Sequence, residues 1–359
     1  MEMRNYLAAA CLLGVANLAH AQSSVTLYGI VDTGVQYYNH AATGGSVVGM
    51  PALTGEVPSR FGLRGAEDLG GGTQAFFQLE SGFATGTGAL NYGGRLFGRA
   101  ANVGISSPYG TLTLGRQINM SYYALLQADV IGPSIHSMAS FDTYLPNARS
   151  DNAIGYLGKF GGFTLGGTYS FGRDAAGPAG PSATDCAGQV AGNFIACRQY
   201  TALAAYDSAH FGMAASYDVM RGGTGASAPL TNSAYTDTRT IVDAYVKYGD
   251  AKLGGGWERR NTSAAVHSQT DLFFVGVNYF ALPALSLDTQ MVRYNVRSVS
   301  DSTLLIARAT YFLSKRTSVY SSLGYMLNSQ KAAAPVAAAG TVQTGADQLG
   351  VMVGIQQRF

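Results

Sequence analysis

QLGVMVGIQQRF, residues 348–359, ends the chain in alternation: Leu349, Val351, Val353, Ile355 and Phe359 fall on one face, Gly350, Met352, Gly354, Gln356 and Arg358 on the other. Successive side chains of a strand point to opposite faces, so a period of two reads as a β-strand with one apolar side. The same pattern recurs upstream. In TIVDAYVKY (240–248), Val242, Ala244, Val246 and Tyr248 oppose Asp243, Tyr245 and Lys247; in FTLGGTYSF (163–171), Phe163, Leu165, Gly167, Tyr169 and Phe171 oppose Thr164, Thr168 and Ser170. TDLFFVGVNYF (270–280) sets Phe273, Val275, Val277 and Tyr279 on its outer side. Helical spacing is nowhere sustained.

Such segments number about sixteen, each near the length that crosses a bilayer at a tilt. They fall near 23–38, 58–67, 72–84, 95–106, 111–118, 148–158, 163–172, 198–207, 211–220, 238–248, 252–261, 270–280, 285–296, 303–313, 317–327 and 348–359. The connections alternate between short turns, such as 107–110 and 249–251, and longer stretches rich in Gly, Ser, Ala and Asn. One rim of tight turns and one of long loops is the asymmetry of a barrel in an outer membrane, with the turns periplasmic. A soluble sandwich would have to bury Asp243, Asp288, Gln290, Arg308 and the Thr and Ser residues of the inner faces without evident partners, whereas a water-filled interior removes that cost. The fold expected is all-β: a 16-stranded antiparallel transmembrane β-barrel.

Composition agrees. Lys+Arg 23 against Asp+Glu 21 gives no bulk attraction to nucleic acid. Charged residues at 12% and 47 glycines suit a chain whose outer positions meet lipid, and 22 tyrosines against one tryptophan suit amphipathic rings at strand ends. Residues 1–21 read as a secretory signal, with Arg4, an apolar run and Ala19-His20-Ala21 as a small-residue cleavage site, leaving one barrel domain over 22–359. The mature chain then keeps only Cys186 and Cys197, close together in a Gly/Pro-rich loop of an exported protein, where a local disulfide is expected rather than a metal site. No cofactor is expected.

Between the fifth and sixth segments lies a run of about thirty residues, 118–147, INMSYYALLQADVIGPSIHSMASFDTYLPN. It is too apolar to be a solvated flap, so it is expected to be an irregular loop folded into the barrel as its constriction.

SSVTLYGIVDTGV (23–35), SRFGLRGAEDLGGGTQAFFQLESGF (59–83), LFGRAANVGISSPYGTLTLGRQ (96–117) and the terminal Phe359 resemble the trimeric general-diffusion porins of Gram-negative outer membranes, the β-proteobacterial branch above all. The resemblance implies a homotrimer set in outer-membrane lipid and lipopolysaccharide, passing small hydrophilic solutes and ions. It also implies that Phe359 is the signal read by barrel-assembly machinery. In this family a basic ladder on the wall faces acids on the inward loop. Arg60, Arg99 and Arg149 match the ladder, and Arg60 and Arg64 share the face opposite Phe61 and Leu63. Strict alternation puts Arg99 beside Val103 and Ile105; either those two face the lumen or a bulge shifts the register, and the family pattern favours the first. The Tyr-x-Ala-Leu resemblance places the loop acid at Asp129, with Asp142 as the other acid, and the family's following Glu is absent. Fewer acids against an intact Arg ladder predicts anion preference. Tyr122 and Tyr123 either line the constriction or pack the loop on the wall. Arg116, outward with Leu112 and Leu114, is expected to reach a polar or backbone group of a neighbouring subunit.

Enzymatic roles lack support, because His40, His136, His210 and His267 stand apart from any Ser or Asp motif. The rival reading is a substrate-specific channel for a sugar or an organic anion. A sugar channel would need a file of inward aromatics, and these are scattered (Tyr28, Tyr245, Tyr294).

Overall fold

The computed structural model describes residues 24–173 and 184–359. The proposed signal at 1–21 lies outside them. The strands are β1 (Ser24–Tyr38), β2 (Val47–Gly49), β3 (Arg60–Gly70), β4 (Thr73–Gly82), β5 (Ala100–Ser107) and β6 (Gly110–Ile118). After the long loop come β7 (Arg149–Phe160), β8 (Phe163–Ser170), β9 (Gln199–Asp207), β10 (Phe211–Arg221), β11 (Thr236–Tyr248) and β12 (Ala251–Ser263). The last are β13 (His267–Leu282), β14 (Leu285–Val296), β15 (Ser300–Phe312), β16 (Thr317–Asn328) and β17 (Gln348–Arg358).

From β3 onward each strand pairs antiparallel with the next, and β1 closes the ring, its first half on β3 (Ser24↔Ala66 to Ile30↔Arg60) and its second on β17 (Ile30↔Arg358 to Tyr38↔Gly350). Sixteen strands thus form a closed barrel without a free edge, which satisfies every spanning backbone group inside the wall. The short β2, unanticipated from sequence, pairs with the end of β1 through Gln36–Tyr38. Phe359 extends β17 by exchanging both backbone hydrogen bonds with Gly29.

Exposure follows the period of two. Leu165, Val242, Val246, Phe273, Val275, Val277, Leu305, Val353 and Ile355 are exposed on the outer face, an apolar belt of the kind that meets lipid. Aromatic rings gather beside the tight turns: Phe160 and Phe163 flank one, Tyr248 the next but one, and Phe280 stacks on Phe312 at 6.4 Å between centroids. The opposite rim is less uniform than its sequence indicates, since the connections 264–266 and 297–299 are as short as periplasmic turns.

The interior differs from a uniformly polar lumen. Ile241, Leu272, Phe274, Val292, Leu304, Met326 and Met352 point inward and are fully buried, because residues 119–148 pack onto them. That segment is not irregular. It contains a helix, α1 (Met120–Ala128), capped by Asn119, whose side chain accepts from the Ser121 N–H at 3.2 Å, and two short 3-10 turns. Met120, Ser121, Ala124, Leu125 and Ala128 form its buried face, meeting β8 to β12. Gly254 lets it approach: a Cβ there would overlap the Ala128 carbonyl oxygen. The helix therefore lies against β8 to β12, and a cavity remains between it and the wall formed by β1 and β3 to β7.

Candidate functional site

The open half carries the arginines. Arg60, at the start of β3, lines a cavity of about 440 Å³ with Glu80, Arg99, Tyr122, Tyr123 and Arg149, so the three ladder residues do converge. Arg64 lies outside it, nearer the tight-turn rim and over the Tyr28 ring at 5.2 Å. Among the described residues no carboxylate lies within ion-pair distance of Arg60. Arg149 donates from Nε to the Arg99 carbonyl at 2.8 Å, and one of its terminal nitrogens is buried without a protein acceptor.

Arg99 reaches the lumen by a different route from the one the alternation offers. Val103 and Ile105 are exposed on the lipid face, and β5 begins only at Ala100. Arg99 therefore belongs to the incoming loop, where strand alternation does not apply, and its guanidinium turns inward to Glu80 (Nε to Oε1, 2.6 Å) and to the Tyr92 hydroxyl (3.0 Å).

Arg116 has partners within its own subunit. A bulge between Gly115 and Gln117, where Gly115 takes a φ of +113°, breaks the β6–β7 register. Arg116 donates to the Gly98 carbonyl at 2.7 Å and pairs with Asp151, so its polar partners are within the chain. Asp151 also receives Arg95 at 3.0 Å.

Tyr92 ties these residues together. Its hydroxyl donates to Asn147 of the long loop (3.0 Å), and the Arg149 and Arg116 guanidiniums lie 5.5 and 5.8 Å from its ring centre. Burial alone would raise its pKa, but Arg149, Arg99 and Arg116 bring it below the ordinary value. It holds a left-handed φ of 58°, a conformation costly for an aromatic residue and one that collects at functional sites. Neither Tyr92 nor Glu80 stands out in the sequence, because each acquires its role only through folding of the loop 83–99.

On the long loop the two acids separate. Asp129 caps the end of α1 and shares a second cavity with Arg60; its carboxylate accepts from the Ile131 N–H at 3.2 Å, and burial pushes its pKa up. Asp142 does not face the ladder. It is buried on the opposite side, bound by Arg239 (Nε to Oδ2, 2.9 Å) and capping the Tyr144 N–H at 2.9 Å. Burial would raise its pKa, yet Arg239 and Arg260 hold it below the usual carboxylate range. Arg239 also meets Asp237 at 3.0 Å and Glu258 at 3.4 Å, so its positive charge is fully countered by acids.

A second anchor is the buried Asp218, which accepts from Ser121 (3.0 Å), Gln199 (2.9 Å) and the Tyr144 hydroxyl. His136 is a third: Nδ1 lies 2.9 Å from Ser322 Oγ, its ring fits against Gly324 and Gly350, and burial pushes its pKa down to about 4. Of the two tyrosines, Tyr122 lines both cavities while also touching the Tyr144 cluster; Tyr123 lines the first and packs against the main core. Cys186 and Cys197 are joined by a disulfide in the β8–β9 connection, away from the constriction. Among the described residues no His, Cys, Asp and Glu cluster could hold a metal.

Comparison with known proteins extends this geometry. A family model described as Gram-negative porin matches residues 8–331. The outer membrane porin protein 32 of Delftia acidovorans is 31% identical over 99% of this chain and 100% of its own length. An outer membrane porin protein of Bordetella pertussis is 39% identical over 47% of this chain and 48% of its own. Among solved structures, the anion-selective porin from Comamonas acidovorans superposes with a TM-score of 0.78 at 28% identity, covering 94% of this chain and 100% of that one.

Proposed function

The chain belongs to the Gram-negative porin family, and from that premise we propose that this outer-membrane pore prefers anions as it passes small hydrophilic solutes by passive diffusion. One observation carries the preference. Arg60, Arg99 and Arg149 line one cavity whose lining acid, Glu80, is paired with Arg99, while Asp142, the acid that could have opposed Arg60, is consumed by Arg239. Charge at the narrowest point sets the sign of selectivity, and here the unpaired charge is positive. Asp129 is the remaining loop acid, and it leans on its own backbone. The solved relative described as anion-selective has the same fold at 28% identity, in line with this reading.

Passive diffusion needs no nucleophile or base. His136, the histidine nearest the constriction, is enclosed against Ser322 and cannot meet a solute. By family likeness the pore assembles as a homotrimer in lipid and lipopolysaccharide, with Phe359 as the signal for barrel assembly. The test is a zero-current potential across a planar bilayer in a potassium chloride gradient. Chloride should be the more permeant ion, and closure at high voltage should come in three steps. A potential of the potassium-selective sign would overturn the anion reading.

A further inference from the structure

The cavity that Arg60 shares with the long loop has an unexpected far side. In the same cavity as the guanidinium, α1 presents Tyr122 and Leu126, one turn apart on one helical face, with Asp129 directly after the helix end. Leu126 is 51% exposed although it lies inside a water-filled pore, and Val57, Pro133 and Pro146 extend its apolar surface around the same cavity. An exposed leucine on a lumen-facing helix gains nothing from packing, for the buried face of α1 is already complete with Met120, Ala124, Leu125 and Ala128. Contiguous apolar surface in water, rimmed by polar groups, is characteristic of a place where something apolar is received.

The two sides differ in the chemistry they offer. Arg60 supplies a fork of donors matched to a carboxylate, and Glu80, the acid that lines the same cavity, is hydrogen-bonded to Arg99 instead. The helix face supplies a ring and aliphatic carbons. Asp129 stands at the end of that face, but burial pushes its pKa up and its oxygen is turned to the Ile131 N–H, which limits its repulsion of an anion. We propose that the constriction is an amphipathic cleft selective for organic anions with an apolar body, such as aromatic carboxylates, the carboxylate on Arg60 and the ring against Tyr122 and Leu126. This rests on the anion-preferring reading above and narrows its substrate class.

Benzoate and acetate carry the same charge and the same carboxylate, so their difference isolates the apolar side. With the wild-type pore in a planar bilayer, each is added to potassium chloride and the concentration that halves the chloride current is read. Benzoate should reach it at about tenfold lower concentration than acetate, the effect of partly burying one ring. In Leu126→Gln, a change at an exposed helical site that the fold tolerates, the ratio should fall to about twofold. Equal potency of benzoate and acetate in the wild type overturns the proposal even where chloride outruns potassium. An unchanged ratio in Leu126→Gln overturns it too, by placing the apolar contact elsewhere. Loss of the chloride preference itself in the unblocked wild type would instead overturn the anion reading on which the proposal stands.

Discussion

Two arginine sites face each other across this barrel and behave in opposite ways. On β11, Arg239 is buried among Asp142, Asp237 and Glu258, its charge cancelled and its donors satisfied. On β3, Arg60 opens on a cavity in which the lining acid, Glu80, is bound to Arg99 and no carboxylate is in ion-pair contact with Arg60 itself. The first holds the loop in place; the second acts on whatever passes. The difference teaches that a charge counts toward selectivity only when the fold leaves it unpaired, and that the position of the loop decides which charges those are.

The comparison breaks most visibly at Arg239. Arg239→Ala would leave the buried Asp142 and Glu258 with Arg260 as the remaining cation beside Asp237, and removing one partner of a buried ionic cluster costs about 3–5 kcal/mol. Its urea midpoint in detergent should fall well below that of the wild type while chloride remains the preferred ion. An unchanged midpoint would mean that the cluster does not anchor the loop.

A second break comes from pH, through His136. Its folded pKa is about 4, below the ordinary 6.5, so the folded state resists a proton that the unfolded chain accepts. The full stability is present above pH 6.5 and is lost as pH falls toward 4, by about 3 kcal/mol across that window. Urea midpoints at pH 7 and pH 4.5 should differ in the wild type and differ less in His136→Gln. A wild-type midpoint that stays level over this range would count against the buried neutral imidazole.

The smallest effect in energy sharpens the contrast most. Arg60→Ala removes no packing partner and should leave the urea midpoint in place. Loss of one unscreened charge near a solute is worth about 1 kcal/mol in water, so the chloride to potassium permeability ratio should drop by about two- to fivefold. A fall in stability with no change in selectivity would reverse the roles assigned to Arg60 and Arg239.

The sequence by itself determined the wall. Alternation is a local property, fixed by the two-residue period of an extended chain, so the sixteen spans, the lipid-facing set and the inward direction of Arg60 and Asp243 could all be read from it. The loop was half legible. Its place between β6 and β7 and its apolar character were plain, but α1 was not, although Asn119 before MSYYALLQA and apolar residues at 120, 124 and 128 were the signal that could have found it. What only the tertiary structure decided is the pairing of charges: Asp142 with Arg239, Arg99 with Glu80 and Tyr92, Arg116 with Asp151. These partners lie up to 97 residues apart, and electrostatic energy depends on distance in space rather than in sequence. Spacing along the chain therefore says which way a side chain points, and only the packed loop says whether its charge is already taken.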